Sequence, residues 1–477
     1  MLLSKESTDT RTFHNEKRNV LRCSSQEYDS ERIRRSPSNA AYYESGTLLS
    51  LPDDILSRII EGNALSCRLV CRRLYKLVWR RCLLRDYTLQ LSGGFDFVRE
   101  WIYKHRWNTP TSSIALDLEN IIDESDIETI AAQLSKVAGL KHVEIRNAVC
   151  GTLRAAQHIF STPDLKSLSI PKSWWDAHPF QGHTHLLHLR ITDCVRHIPL
   201  SFLKLIPRLK TLAISYSRDY SHLQHVPHLE ELSLSQPYRF DFSRLSLVPR
   251  LKVLQIPAQQ EGFEKVRDLK ELHTIKLLDC SSGIDLRDLQ HCPSLTAVDL
   301  SQCISSAWHY EVLSKFPLKS LSLHESCSET NSLIRYNGGT ILHRSLEHLR
   351  FVGKGGSVSQ NVLRWICSFQ QLKSLTYSAP GLSSLNTDWN VLLQLNNLEC
   401  LDVPNNLADP EFRVLAKMEN LRNLRLSGDN ITNGKKLMSL TKLKRLHLPH
   451  STKWLERNLS MAIPECRITF GTPLTAE

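Results

Sequence analysis

The sequence predicts an α/β architecture, in which a short helical module is followed by a solenoid of parallel strands with helical or irregular returns on its convex side. Three observations lead there. A leucine pattern, L-x-x-L-x-L or a near variant, recurs from Leu140 to the end of the 477-residue chain. Two helical patterns precede it between residues 48 and 85, and residues 1–47 carry neither a 2 nor a 3.6 period.

The first segment, 1–47, is rich in Ser, Arg and Glu and poor in apolar residues, so it is expected to be a disordered tail. Arg32 to Arg35 followed by Ser36-Pro37 reads as a solvated charge cluster or a short import or phosphorylation segment. From Leu51 the character changes. Pro52, Asp53 and Asp54 occupy a first helical turn, with Ile55, Leu56, Ile59 and Ile60 following at helical spacing. Gly62-Asn63 breaks that helix, and a second pattern carries Leu69, Val70, Leu74, Leu77 and Val78 on one stripe. Residues 86–139 link the two parts. Within them Tyr87–Leu91 and Ile114–Leu118 read as strands of atypical first units that cap the array, because an open sheet end must be covered.

The repeat occupies 140–477. Its units begin at Leu140, Leu165, Leu186, Leu209, Leu229, Leu251, Leu272, Leu295, Leu318, Leu346, Leu372, Leu398, Leu421 and Leu443, a mean spacing of about 23 residues, inside the range of roughly 20 to 29 that leucine-rich repeats show. Alternate apolar residues such as Leu212 and Ile214 point one way from a short strand, and a unit can bury them only against its neighbours. Segments such as Phe202–Pro207 supply the returns, often with Pro two residues before the next leucine. Cys194, Cys280, Cys303 and Asn406 stand at the ninth position, where a small polar residue satisfies backbone groups leaving the strand, so these cysteines read as structural. The tail strand Arg467–Phe470 is expected to cap the other end.

Composition narrows the functional classes. Hydrophobic residues make up 41% and charged residues 23%, enough apolar surface for a folded chain. No apolar run reaches the roughly 18 to 20 residues that cross a bilayer, and Met1 to Val20 is polar rather than signal-like. Thirteen cysteines without a C-x-x-C pair argue against a disulfide framework and a structural zinc site, which fits a reducing compartment, cytoplasmic or nuclear. The net charge of +11 is spread along the chain without a long basic tract, so nucleic acid is not the expected partner. Between Leu51 and Arg85 eight basic residues face three acidic ones, a local excess suited to an acidic protein.

Leu51 to Trp79 resembles an F-box, the helical motif that docks on the Skp-type adaptor of SCF cullin-RING ubiquitin ligases. The resemblance rests on Leu51-Pro52, Ile55, Leu56 and Ile59, then on Leu69-Val70-Cys71-Arg72-Arg73, Tyr75 and Leu77. The stretch from Ile60 to Leu69 is shorter than usual, and Leu74 stands where tryptophan is common. An F-box ahead of leucine-rich repeats is similar to the F-box/leucine-rich-repeat class of substrate receptors. That resemblance implies a non-catalytic subunit with Skp adaptor, cullin and RING protein as partners, a protein substrate on the concave face, and ubiquitination leading to degradation. It implies an adaptor face of Leu51, Pro52, Ile55, Ile59, Val70, Cys71 and Leu74, by burial of apolar surface in a groove of the partner.

The third and fifth positions of each unit face the concave side and form the expected binding surface. At the C-terminal end, Asn423 and Arg425 of one unit meet Arg445 and His447 of the next, strands lying about 4.8 Å apart. This is a candidate anion pocket for an acidic or phosphorylated segment. Trp174-Trp175 reads either as an exposed anchor or as packing on a neighbouring unit. His222, His225 and His228, and His178, His183, His185 and His188, lack Cys, Asp or Glu to complete a coordination set, so no metal is expected. Gly353-Lys354-Gly355-Gly356 lacks phosphate-loop spacing, and no G-x-S-x-G elbow or H-E-x-x-H helix occurs, so no cofactor and no catalysis are expected. Competing readings are a leucine-rich-repeat scaffold with no ligase attached, a microbial effector that borrows a host ligase, and a basic nuclear protein.

Overall fold

The computed structural model describes residues 19–23, 87–92, 99, 112–117, 123–137, 139–146, 157–159, 161–171, 185–192, 198–215, 217–235, 240–257, 262–278, 285–303, 307–324, 341–352, 360–378, 388–404, 409–427, 437–448 and 453–470. The chain divides into two compact units, Asn15–Tyr238 and Arg239–Glu477, so the division falls inside the repeat array.

In the Asn15–Tyr238 unit every pairing is parallel. Its strands are β1 (Asn19–Cys23), β2 (Tyr87–Ser92), β3 (Ser113–Asp117), β4 (His142–Arg146), β5 (Ser167–Pro171), β6 (His188–Thr192), β7 (Thr211–Ile214) and β8 (Glu231–Leu234). Strands β2 and β3 fall on the two segments before Leu140 where the sequence predicts strands. Of residues 1–47 only β1 is described, and it pairs along the whole of Asn19–Cys23 with β2. A sheet edge such as that of β2 exposes a row of unpaired N–H and C=O groups, and a short extended segment far away in sequence can fill them whatever its local period. The helix α1 (Glu124–Leu134) is capped by Asp123, whose Oδ1 accepts from the Ser125 N–H at 2.8 Å.

In the Arg239–Glu477 unit the strands are β9 (Val253–Pro257), β10 (Thr274–Leu278), β11 (Ala297–Gln302), β12 (Ser320–His324), β13 (His348–Val352), β14 (Ser374–Ser378), β15 (Cys400–Pro404), β16 (Asn423–Ser427), β17 (Arg445–Leu448) and β18 (Arg467–Phe470). They too pair in parallel and in sequence order. Returns are 3₁₀ turns at Phe242–Leu247, Phe263–Asp268, Leu286–His291 and Trp389–Gln394. Elsewhere they are α2 (Ala307–Leu313), α3 (Ile341–Ser345), α4 (Gln360–Cys367), α5 (Asp409–Lys417) and α6 (Lys453–Ala462).

The repeat grammar is the same in both units, and it is the grammar of a leucine-rich-repeat protein. Each leading leucine is buried, and its strand begins two residues later, as with Leu421 and Asn423 or Leu443 and Arg445. Strand alternation then buries the fourth and sixth positions, such as Leu424 and Leu426, and turns the third and fifth toward the open face. One backbone bond pattern stitches successive units. In most units the carbonyl of the residue after the leading leucine accepts two N–H groups from the next unit. Lys373 O takes Glu399 N at 2.9 Å and Cys400 N at 3.0 Å, and Arg422 O takes Lys444 N at 2.7 Å and Arg445 N at 3.0 Å.

Behind β13 and β14 the core is aromatic. Trp365 of α4 lies edge-on to Tyr310 of α2 with ring centroids 5.2 Å apart, and edge-on to Phe369 at 5.0 Å. Its Nε1–H donates to the Tyr310 hydroxyl at 3.0 Å. This cluster ties three consecutive returns to the sheet that carries the open face described next.

Candidate functional site

The open face of the Arg239–Glu477 unit carries two rows of side chains that the strand register fixes. One row is Ser374, Cys400, Asn423, Arg445 and Arg467, and the other is Thr376, Asp402, Arg425, His447 and Thr469. Together they line a hollow of ≈ 390 Å³ across β14 to β18. They stand there because strand alternation turns both rows away from the buried position between them, held by Leu375, Leu401, Leu424 and Leu446.

A chain of polar contacts crosses the hollow. Arg445 Nε donates to Asn423 Oδ1 at 2.7 Å, and Asn423 Nδ2 donates to Cys400 Sγ at 2.9 Å. His447 Nδ1 lies 2.9 Å from Thr469 Oγ1. Arg425 faces Asp402 more loosely, with Nε 3.7 Å from Oδ2. That distance is an ion pair but not a hydrogen bond, and Arg425 Nε is a buried donor with no acceptor among the described residues. Burial pushes the Asp402 carboxyl above the usual carboxylate range, while Arg425 and Arg350 pull it the other way.

Charge changes character along the sheet. On the edge where the strands begin, Lys319, Glu347, Lys373 and Glu399 alternate in sign, and Lys373 Nζ meets Glu347 Oε2 at 2.7 Å. On the open face Lys276 lies 3.8 Å from Asp299. From β16 onward the alternation stops. Arg422, Arg425, Lys444, Arg445 and Arg467 follow with no carboxylate in these strands or in the residue before each. Arg422 spends its Nη1 on the backbone oxygens of Glu419 and Leu421, whereas Lys444, Arg445 and Arg467 are exposed. The open face of the other unit is internally paired. Arg146 holds Glu144 through two bonds of 2.9 Å, and Thr211 bridges His188 Nδ1 at 3.0 Å and Glu231 Oε2 at 3.3 Å.

The four residues expected at a C-terminal anion pocket, Asn423, Arg425, Arg445 and His447, therefore line one hollow on adjacent strands. Leu51, Pro52, Ile55, Ile59, Val70, Cys71 and Leu74, as well as Trp174 and Trp175, lie outside the described residues. Sequence reasoning missed Arg467 and Thr469, which enter through β18. Their signal was the alternation Arg-Ile-Thr-Phe after Cys466, in a unit with glutamate, Glu465, two residues before the strand where the units from Leu140 to Leu443 have leucine. It also missed the opposition of Asp402 to Arg425, which only register reveals. His222 Nε2 lies 3.6 Å from Asp219 and its ring stacks on His225, and among the described residues no three His, Cys, Asp or Glu side chains gather where a metal could sit. Cys303 is buried at its ninth position, in keeping with a structural role, but it is disulfide-bonded. Its partner lies outside the described residues, so the cysteines are not all free thiols as their spacing suggested.

No family model and no curated sequence matches the chain. Among solved structures it is similar to an internalin from Listeria monocytogenes, at 15% identity over 75% of this chain and 95% of that one, with a TM-score of 0.33. It is similar to a leucine-rich-repeat protein from Leptospira interrogans, at 15% identity over 82% and 91%, with a TM-score of 0.31. A third match is TLR13 in complex with ssRNA13, at 16% identity over 82% and 54%, with a TM-score of 0.33. At such scores the matches carry no functional argument, and the repeat assignment stands on the strand register and buried leucines.

Proposed function

We propose that the chain is a non-catalytic substrate receptor of an SCF-type ubiquitin ligase, holding an acidic segment of a protein partner in the hollow of β14 to β18. The observation that supports the binding half is the run of cations beyond β15, three of them exposed, beside a hollow lined among the described residues by one carboxylate. Extended acidic segments match such a surface by charge-assisted hydrogen bonds to arginine.

The adaptor half rests on the F-box resemblance of Leu51–Trp79 ahead of the repeats. In this reading the chain works in the cytoplasm or nucleus and contributes proximity. The recruited RING protein and its charged conjugating enzyme supply the chemistry, and the receptor raises the effective concentration of substrate lysines beside the activated ubiquitin.

The test is a pull-down of Skp-type adaptor and cullin by the full chain, beside a folded variant carrying Pro52→Ala and Val70→Asp. Capture by the first and loss in the second supports the ligase reading, while no capture by either leaves a leucine-rich-repeat scaffold without a ligase. In parallel, Arg425→Glu with Arg445→Glu should abolish capture of an acidic partner. Unchanged capture would remove the hollow from the proposal.

A further inference from the structure

We infer that Asp402 is a built-in counter-anion that holds down the affinity of the hollow for its acidic ligand, and that its effect scales with the charge of the ligand. This rests on the proposed reading of the hollow as an acidic-segment site. Three features carry it. Among the described residues Asp402 is the one carboxylate lining the hollow, and the register sets it directly opposite Arg425. Their contact is loose at 3.7 Å and leaves the buried Arg425 Nε without a hydrogen bond. Glu144 closes on Arg146 at 2.9 Å and Glu347 on Lys373 at 2.7 Å, whereas Asp402 and Arg425, like Lys276 and Asp299 at 3.8 Å, stay apart on the open face. The Asp402 contact therefore offsets the charge of Arg425 without a hydrogen bond to its Nε.

Any anion that reaches Arg425 does so beside Asp402. Coulomb repulsion from a fixed charge is proportional to the charge that approaches it. A single carboxylate feels one unit of this opposition and a phosphate dianion feels close to two. Burial disfavours the ionised form of Asp402, in line with a carboxylate placed there against its own solvation.

The experiment uses the full-length chain and two fluorescein-labelled Ser/Ala dodecapeptides, identical except for one phosphoserine or one glutamate, read by anisotropy at low salt. Asp402→Asn should tighten the glutamate peptide about five- to tenfold, and the phosphopeptide by roughly the square of that factor. Asp402→Ser should act alike, which separates charge from amide hydrogen bonding, and added salt should shrink both gains. Arg445→Glu with Arg467→Glu should abolish both complexes. If the arginine variant loses binding but both Asp402 variants leave it unchanged or weaker, this inference is wrong and the acidic-segment reading survives. If the wild-type chain binds neither peptide, or the arginine variant binds as before, the reading itself fails and the inference with it. Arginine-dependent capture of a single-stranded oligonucleotide in preference to either peptide would likewise overturn both.

Discussion

Trp365 offers the sharpest test of how the open face is supported. Its side chain is 1% exposed and is held between Tyr310, Phe351 and Phe369. Its only polar atom donates to the Tyr310 hydroxyl at 3.0 Å. Trp365→Phe removes that bond, worth about 1 kcal/mol net, and leaves part of the indole volume empty, which costs about 2 kcal/mol more where neighbours relax only partly. Tyr310→Phe keeps the rings but strands the indole N–H in an apolar setting, at a cost of about 1 to 3 kcal/mol. The two changes share one bond, so the double variant should fall short of the sum of the singles by about 1 kcal/mol. A repeat array need not unfold in a single step. The assay is therefore native-state hydrogen exchange, read on the amides of α4, β13 and β14. Strict additivity of the two substitutions would refute the claim that the N–H to hydroxyl contact stabilises the cluster.

Two further predictions concern the returns and the thiols. Asp241 caps the 3₁₀ turn Phe242–Leu247, its Oδ1 accepting from the Ser243 N–H at 2.9 Å, so Asp241→Ala should cost about 1 kcal/mol at neutral pH in urea titrations. The Ser243 hydroxyl and then its N–H hold this carboxyl below the usual range, so its contribution is present above the unfolded pKa of about 3.9 and is lost as pH falls through the lower folded value. A deficit that persisted unchanged in strong acid would contradict the cap. Burial pushes the Cys367 thiol up to about 12 and the Cys292 thiol up to about 11. In a pulse of iodoacetamide near pH 8 followed by mass spectrometry, both should stay unlabelled while the half-exposed Cys400 reacts first. Equal labelling of Cys367 and Cys400 would show that the packing around α4 is wrong.

The strand positions were legible because one chemical rule sets them. A buried leucine fixes the strand two residues on, and a period of two then fixes which side chains face outward, so Asn423, Arg425, Arg445 and His447 could be placed side by side from spelling alone. What stayed hidden depends on partners distant in sequence. The charge on Arg425 is opposed by Asp402 one unit earlier, and only the observed register, Asp402 opposite Arg425, turns two separate letters into a pair. Arg467 was read as part of a terminal cap because its unit has no leucine two residues before the strand, yet Cys466 is buried just ahead of it and the strand that follows joins the hollow. The β1 segment gave no signal, since an edge strand that adds itself to a finished sheet needs only free backbone groups to meet.

The doubled acceptance at the leading carbonyls bears on how such a chain can change over generations. Because Lys373 O and Glu399 O bind the next unit through backbone N–H groups, that ladder does not depend on the side chains at those positions, even where Lys373 adds a 2.7 Å ion pair to Glu347. Their signs can be rewritten one substitution at a time while the ladder beneath them stays in step. Lineages of this chain can thus drift from a self-neutral edge to a cationic one, trying new partners without putting the scaffold at risk.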